Sequence, residues 1–132
     1  MDLRLTEEQE MTRKMVRELA AKEIAPIAAE IDETGRFPSE VMEKMAEAGL
    51  LGILIPPRFG GAGGDRLTFL LAVEEIAAAC ASVALSFVTS VGTAFAILAF
   101  GSDEQRKKYL PALAKGEKLG TVATAEPSGG TN

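Results

Sequence analysis

Two short stretches of this chain carry the residue types that chemistry uses. The first is RFGGAGGD at residues 58–65, with glycines at 60, 61, 63 and 64. Glycine lets backbone N–H groups come close to an anion, so such a loop can cradle a phosphate. Its spacing is neither GxGxxG nor a P-loop, and no clear strand leads into it. A flexible turn between helices is the expected role. The second stretch is ATAEPSGGTN, residues 123–132. A β-like run reaches Glu126-Pro127, then Gly129 and Gly130 free the backbone and Thr131 adds a hydroxyl. Alone, this fits an anion contact and a plain turn equally well.

Other reactive types are scarce. Histidine is absent, which removes the commonest general acid/base and the commonest transition-metal ligand. The one cysteine, Cys80, sits in an Ala-rich run with no His or Lys beside it, so a packing role is expected. Glu74 and Glu75 are adjacent and diverge around a helix, outside the apolar face, rather than forming an acid/base pair. The net charge of −5 and the absence of Trp argue against a nucleic-acid partner. One cysteine permits no internal disulfide, and the acidic, amphipathic N-terminus lacks the basic-then-apolar order of a secretory signal. A reducing cytoplasm is the expected location.

The elements that must position these residues read as helices. Thr6 with Gln9 matches a capping box, and Met11, Met15, Leu19 and Ile24 recur near helical spacing. Pro26 should kink or restart that helix, and Ile27 and Ile31 carry the stripe on to Gly35. Ser39 is an expected N-cap, with Val41, Met42, Met45 and Ala48 as the apolar stripe and Gly49 as the stop. Residues 50–55 read as a buried connector. Asp65 or Thr68 starts the next helix, in which Leu70, Leu71, Val73, Ile76 and Ala77 share or approach one face. Ser82 is expected to cap another helix ending at Gly101. Ser102 starts a last one that Pro111 should bend and Gly116 closes. Residues 119–124 read as a strand leaving the bundle. The fold class is therefore all-α, a bundle of five to six helices with a terminal β-strand segment.

Residues 76–102 hold no charged side chain, and residues 83–100 are long enough to span a bilayer. Ser82, Ser86, Thr89 or Ser90, and Thr93 form a small polar stripe along them. One apolar run with high hydroxyl content fits the central helix of a soluble bundle better than a membrane span. Small residues such as Ala84, Gly92 and Ala94 leave room beside that helix for a ligand tail.

The order of these pieces resembles the N-terminal helical domain of the acyl-CoA dehydrogenase family. LTEEQEMTRKMVRELAAKEIAPIAAEIDETGRFP is similar to that family's opening helix pair. EVMEKMAEAGLLGILIPPRFGGAGGD resembles its next helix and glycine loop, and GSDEQRKKYLPALAKGEKLGTVATAEP resembles its linker into a middle β-domain. The resemblance implies a helical domain over residues 1–118 and the start of a β-domain, cut short, over 119–132. It also implies FAD, an acyl-CoA substrate dehydrogenated between its α and β carbons, an electron-transferring flavoprotein as partner, and a homo-oligomer when complete.

Position by position, the resemblance places Val122, Thr124, Ala125, Gly130 and Thr131 beside FAD. Ala125 stands where the family usually has a hydroxyl residue, Thr131 where it has serine, and Asn132 where it has aspartate. It places Ala84, Leu85, Val88 and Gly92 along the acyl tail, with Thr131 near the CoA portion. The family's carboxylate base usually lies in a third domain, so no acidic residue here is assigned that role, and these residues alone are expected to be inert. The alternative is a non-catalytic helical binding or assembly module on the same scaffold. Acyl-CoA oxidases and flavin monooxygenases share the scaffold too.

Overall fold

Thr6 and Gln9 start the first helix as a reciprocal cap. The Gln9 N–H donates to Thr6 Oγ1 at 3.2 Å and the Thr6 N–H donates to Gln9 Oε1 at 3.0 Å, which satisfies two otherwise orphaned donors. This computed structural model describes residues 4–130 of the chain. Helix α1 (Glu7–Leu19) widens into a π turn at Ala20–Ile24 and tightens into a 3-10 turn at Ala25–Ile27. The irregularity falls where Pro26 has no N–H to donate. Helix α2 (Ala28–Thr34) then runs to Gly35, whose φ of 65° is the left-handed value that ends helices.

Helix α3 (Ser39–Glu47) follows a turn, and Pro38 precedes it as the cap residue with no side-chain cap bond. Ser39 is therefore the first helical residue and not the N-cap. Gly49 stops the helix at φ 75°, and the connector buries Leu50, Leu51, Ile53 and Ile55 as expected.

The glycine loop is packed rather than flexible. After a 3-10 turn at Pro57–Phe59, the N–H groups of Ala62, Gly63 and Gly64 donate to the carbonyls of Gly52, Ile55 and Ile53 at 2.9, 2.9 and 2.7 Å. Those donors point inward, so the loop offers them to no phosphate. A Cβ on Gly61 would lie 2.1 Å from the Ile55 carbonyl oxygen, so this close approach requires glycine.

Asp65 caps α4 (Arg66–Ala79), accepting the Thr68 N–H and hydroxyl at 2.7 Å each on Oδ1. Its Oδ2 accepts from Gln9 Nε2 at 3.0 Å and ties this helix start to α1. Cys80 interrupts the helices in an extended conformation (φ −160°, ψ 115°), and α5 (Ala81–Phe100) begins at once. Cys80 lies in the break and not within a helix. Ser82 lies inside α5 and caps nothing; its carbonyl accepts the Ser86 hydroxyl at 3.1 Å. Helix α6 (Asp103–Ala114) opens on a second reciprocal cap, Ser102 with Gln105, and continues through Pro111.

Helix α4 packs between α1 and α5, and α6 packs on the far half of α5. One core cluster joins Val16, Ile24, Met45, Leu51, Ile76 and Phe87, and a second joins Ile55, Ala94, Leu110 and Leu113. Burying each of the larger side chains contributes roughly 1.5–3 kcal/mol. The stripe that enters the core runs from Val16 of α1 to Ala20 and Ile24 of the π turn, while Met11 is 73% exposed. On α4, Leu70 and Ala77 face outward and Glu75 is buried, the reverse of the sequence expectation.

Among the described residues there is no strand at 119–125. A strand needs a neighbour to complete its ladder, and none is present. Among the described residues the one bridge pairs Glu126 with Gly129, whose N–H and C=O groups exchange two bonds of 3.0 Å. By length and composition α5 could cross a membrane. It packs on α4 and α6 along Val83, Phe87, Val91 and Ala94, as a bundle helix does.

Candidate functional site

Helices α4 and α5 diverge enough to leave an open hollow of about 280 Å³ between them. Its walls follow helical spacing. Arg66, Phe69 and Leu70 come from α4, Val88, Val91, Gly92 and Phe95 come from α5, and Leu54 closes the floor. Behind the wall, the rings of Phe69 and Phe87 meet at 5.5 Å between centroids and fix the packing. Arg66 contributes the one charge, and its guanidinium lies over the Phe95 ring, 5.4 Å from the centroid. A Cβ on Gly92 would meet nothing within 4 Å, so the glycine leaves real space there. Among the described residues no carboxylate, thiol or hydroxyl lines this groove. It can hold an alkyl chain by burial and can move no proton itself.

Two of the four expected tail positions, Val88 and Gly92, lie in this groove. Ala84 does not: it is buried on the core face of α5. Leu85 is 64% exposed, one turn before Val88 on the same open face but outside the hollow.

Val122, Thr124, Ala125 and Gly130 are all exposed. The Glu126–Gly129 turn brings two of them together, since a Cβ on Gly130 would lie 3.9 Å from that of Ala125. Among the described residues the N–H groups of Thr124 and Ala125 meet no acceptor. They are donors open to a ligand, which fits a polar group resting on this edge. Thr131 and Asn132 lie outside the described residues.

The chain meets α5 just before this edge. The Gly120 N–H donates to Ser90 Oγ at 3.2 Å, and Thr93 Oγ1 donates to the Thr121 carbonyl at 3.2 Å. Elsewhere, Glu75 accepts from Arg13 Nε at 2.9 Å and from Arg17 Nε and Nη2 at 2.8 and 2.7 Å. The Arg17 and Arg13 hydrogen bonds push its carboxyl down to about 2 against the cost of burial. Glu75 thus joins α4 to α1 and is unsuited to act as a base near neutral pH.

A family model for the acyl-CoA dehydrogenase N-terminal domain matches residues 6–117. The chain belongs to the acyl-CoA dehydrogenase family. It is 51% identical to the short-chain-specific acyl-CoA dehydrogenase of Clostridium acetobutylicum over 134 aligned residues, covering 100% of this chain and 35% of the relative. The butyryl-CoA dehydrogenase structure from Megasphaera elsdenii matches with a TM-score of 0.90 and 34% identity, over 96% of this chain and 34% of that one. A chain in the structure of the electron transferring flavoprotein of Acidaminococcus fermentans matches with a TM-score of 0.92 and 38% identity, over 97% and 34%. The chain therefore spans about a third of the length of these relatives.

Sequence reasoning missed the α4 wall of the groove. Its signal was present in Arg66, Phe69 and Leu70 at i, i+3 and i+4, beside Val88, Val91, Gly92 and Phe95 at i, i+3, i+4 and i+7. It also missed the Glu75 pairing, which Arg13 and Arg17, one turn apart on α1, could have suggested.

Proposed function

We propose that this chain is the N-terminal helical unit of an FAD-dependent acyl-CoA dehydrogenase. The 51% identity along the whole chain to a short-chain-specific member carries this reading. In it, residues 1–118 form the helical domain and residues 119–132 open the middle β-domain.

The groove between α4 and α5 takes the acyl tail. Val88, Val91, Leu70 and Phe95 exclude water from it, and Gly92 provides its depth. Val122, Thr124, Ala125, Gly130 and Thr131 border the flavin, with the Thr124 and Ala125 N–H groups as donors. Ala125 offers no side-chain hydrogen bond there. Bound FAD supplies the acceptor for a hydride from the substrate β-carbon. Among the described residues the groove holds no carboxylate, in accord with a base for the α-proton supplied from outside these residues, and in this reading the 132 residues alone catalyse nothing. An electron-transferring flavoprotein as acceptor, assembly of the complete protein into a homo-oligomer and a cytoplasmic location complete the reading.

Gly92→Phe in the complete protein tests the groove. A Cβ there meets nothing within 4 Å, the position lines the open groove, and the substitution raises helix propensity, so the fold should be retained. Each excluded methylene costs roughly 1–3 kcal/mol of discrimination. The loss in kcat/KM should therefore grow with acyl chain length. A loss equal for all chain lengths would place the tail elsewhere.

A further inference from the structure

We infer that Ser90 and Thr93 are positioning residues that set the flavin-side edge in register with the acyl groove; the inference rests on the function proposed above. Successive residues of a helix are turned by about 100°, which puts Ser90 and Thr93 on the flank of α5 away from Val88 and Phe95. One helix therefore carries the groove on one side and the anchor of the 121–125 run on the other.

Three observations make the anchor specific. Ser90 is 2% exposed, yet its Oγ reaches out of the core to the Gly120 N–H. The Thr93 hydroxyl has one hydrogen and two acceptors, the Thr89 carbonyl at 2.9 Å and the Thr121 carbonyl at 3.2 Å. That hydrogen is shared between the bond to its own helix that hydroxyl residues commonly make and the longer contact to the departing chain. Finally, a Cβ on Gly120 would lie 2.5 Å from Thr93 Cβ, so only glycine lets the chain lie this close. Beyond Thr121, Val122, Thr124 and Ala125 are exposed and make no hydrogen bond among the described residues. The two hydroxyls are thus the last fixed points before the edge. A misplacement of about 1 Å between reacting groups can cost a hundredfold in rate, so such an anchor matters to chemistry it does not touch.

The test uses Ser90→Ala/Thr93→Val, Thr93→Ser and Gly120→Ala. In the 132-residue chain, amide exchange at Gly120 should rise at least tenfold in the double variant, while amides of Val91 and Ala94 keep their protection. Chemical shifts of residues 122–125 should move with it. Thr93→Ser keeps the hydroxyl and should match the parent. Gly120→Ala displaces the run without altering α5, so it decides the matter if the double variant loses protection throughout. In the complete protein, the double variant should lower kcat about tenfold, with little change in KM and a shifted flavin absorbance spectrum. Unchanged protection of the amide at position 120, relative to its intrinsic exchange rate, in both the double variant and Gly120→Ala would overturn the inference, as would parental kcat and spectrum in the double variant. A complete parent protein that binds no flavin would instead remove the proposed function, and the anchor would be judged on exchange alone.

Discussion

Glu75 shows how one side chain can look reactive and serve structure. It is buried, it faces two arginines of α1, and its carboxyl is held down at about 2 against an ordinary 4.5. A depressed carboxyl stabilises the fold fully above its unfolded value and loses that contribution as pH falls through the folded value. Glu75→Gln should therefore lower the urea midpoint at pH 7, and its gap from the parent should close between about pH 4.5 and 2. A gap unchanged at pH 2.5 would mean that packing, not charge, holds α1 to α4. Gly61 makes a different point. Its missing Cβ is what lets the loop close on Ile55, so Gly61→Ala should destabilise by about 1–3 kcal/mol through overpacking, read from thermal or urea unfolding.

Helix α1 shows what periodicity settles and what it leaves open. Met11, Met15, Leu19 and Ile24 have near-helical spacing, yet of these only Ile24 is fully buried, and Val16 and Ala20 enter the core beside it while Met11 and Met15 stay exposed. Ile24→Ala should cost about 2–5 kcal/mol, whereas Met11→Ala should stay within about 0.5 kcal/mol. Urea unfolding of the two variants separates the assignments. The helices themselves were legible, because Thr6, Asp65 and Ser102 cap locally and Gly35, Gly49 and Gly116 stop helices locally. Which face of a helix meets which neighbour depends on partners distant in sequence, and Glu75 was misread for that reason. Residues 119–124 failed differently. Their composition favours a strand, but pairing is a property of two segments, and here the run is held by Ser90 and Thr93 instead. Gly92 was legible from its size as room for a ligand tail, and Val88 only through the family resemblance. Arg66, Phe69 and Leu70 needed the crossing of α4 and α5.

At the scale of the whole molecule, the chain presents an apolar groove without catalytic groups and an exposed edge with free N–H donors. Both are held by α5. Such a unit makes chemical sense as one wall of a larger site, in accord with a family whose compared members run to about three times its length. The most direct measurement is an anaerobic titration of the complete, flavin-loaded protein with short-chain acyl-CoA, following the flavin absorbance near 450 nm. Bleaching should saturate with substrate in the complete protein, and the 132-residue chain should show no acyl-CoA-dependent reduction of a dye. A complete protein that binds no flavin, or whose flavin is not bleached by any acyl-CoA, would contradict the proposed function.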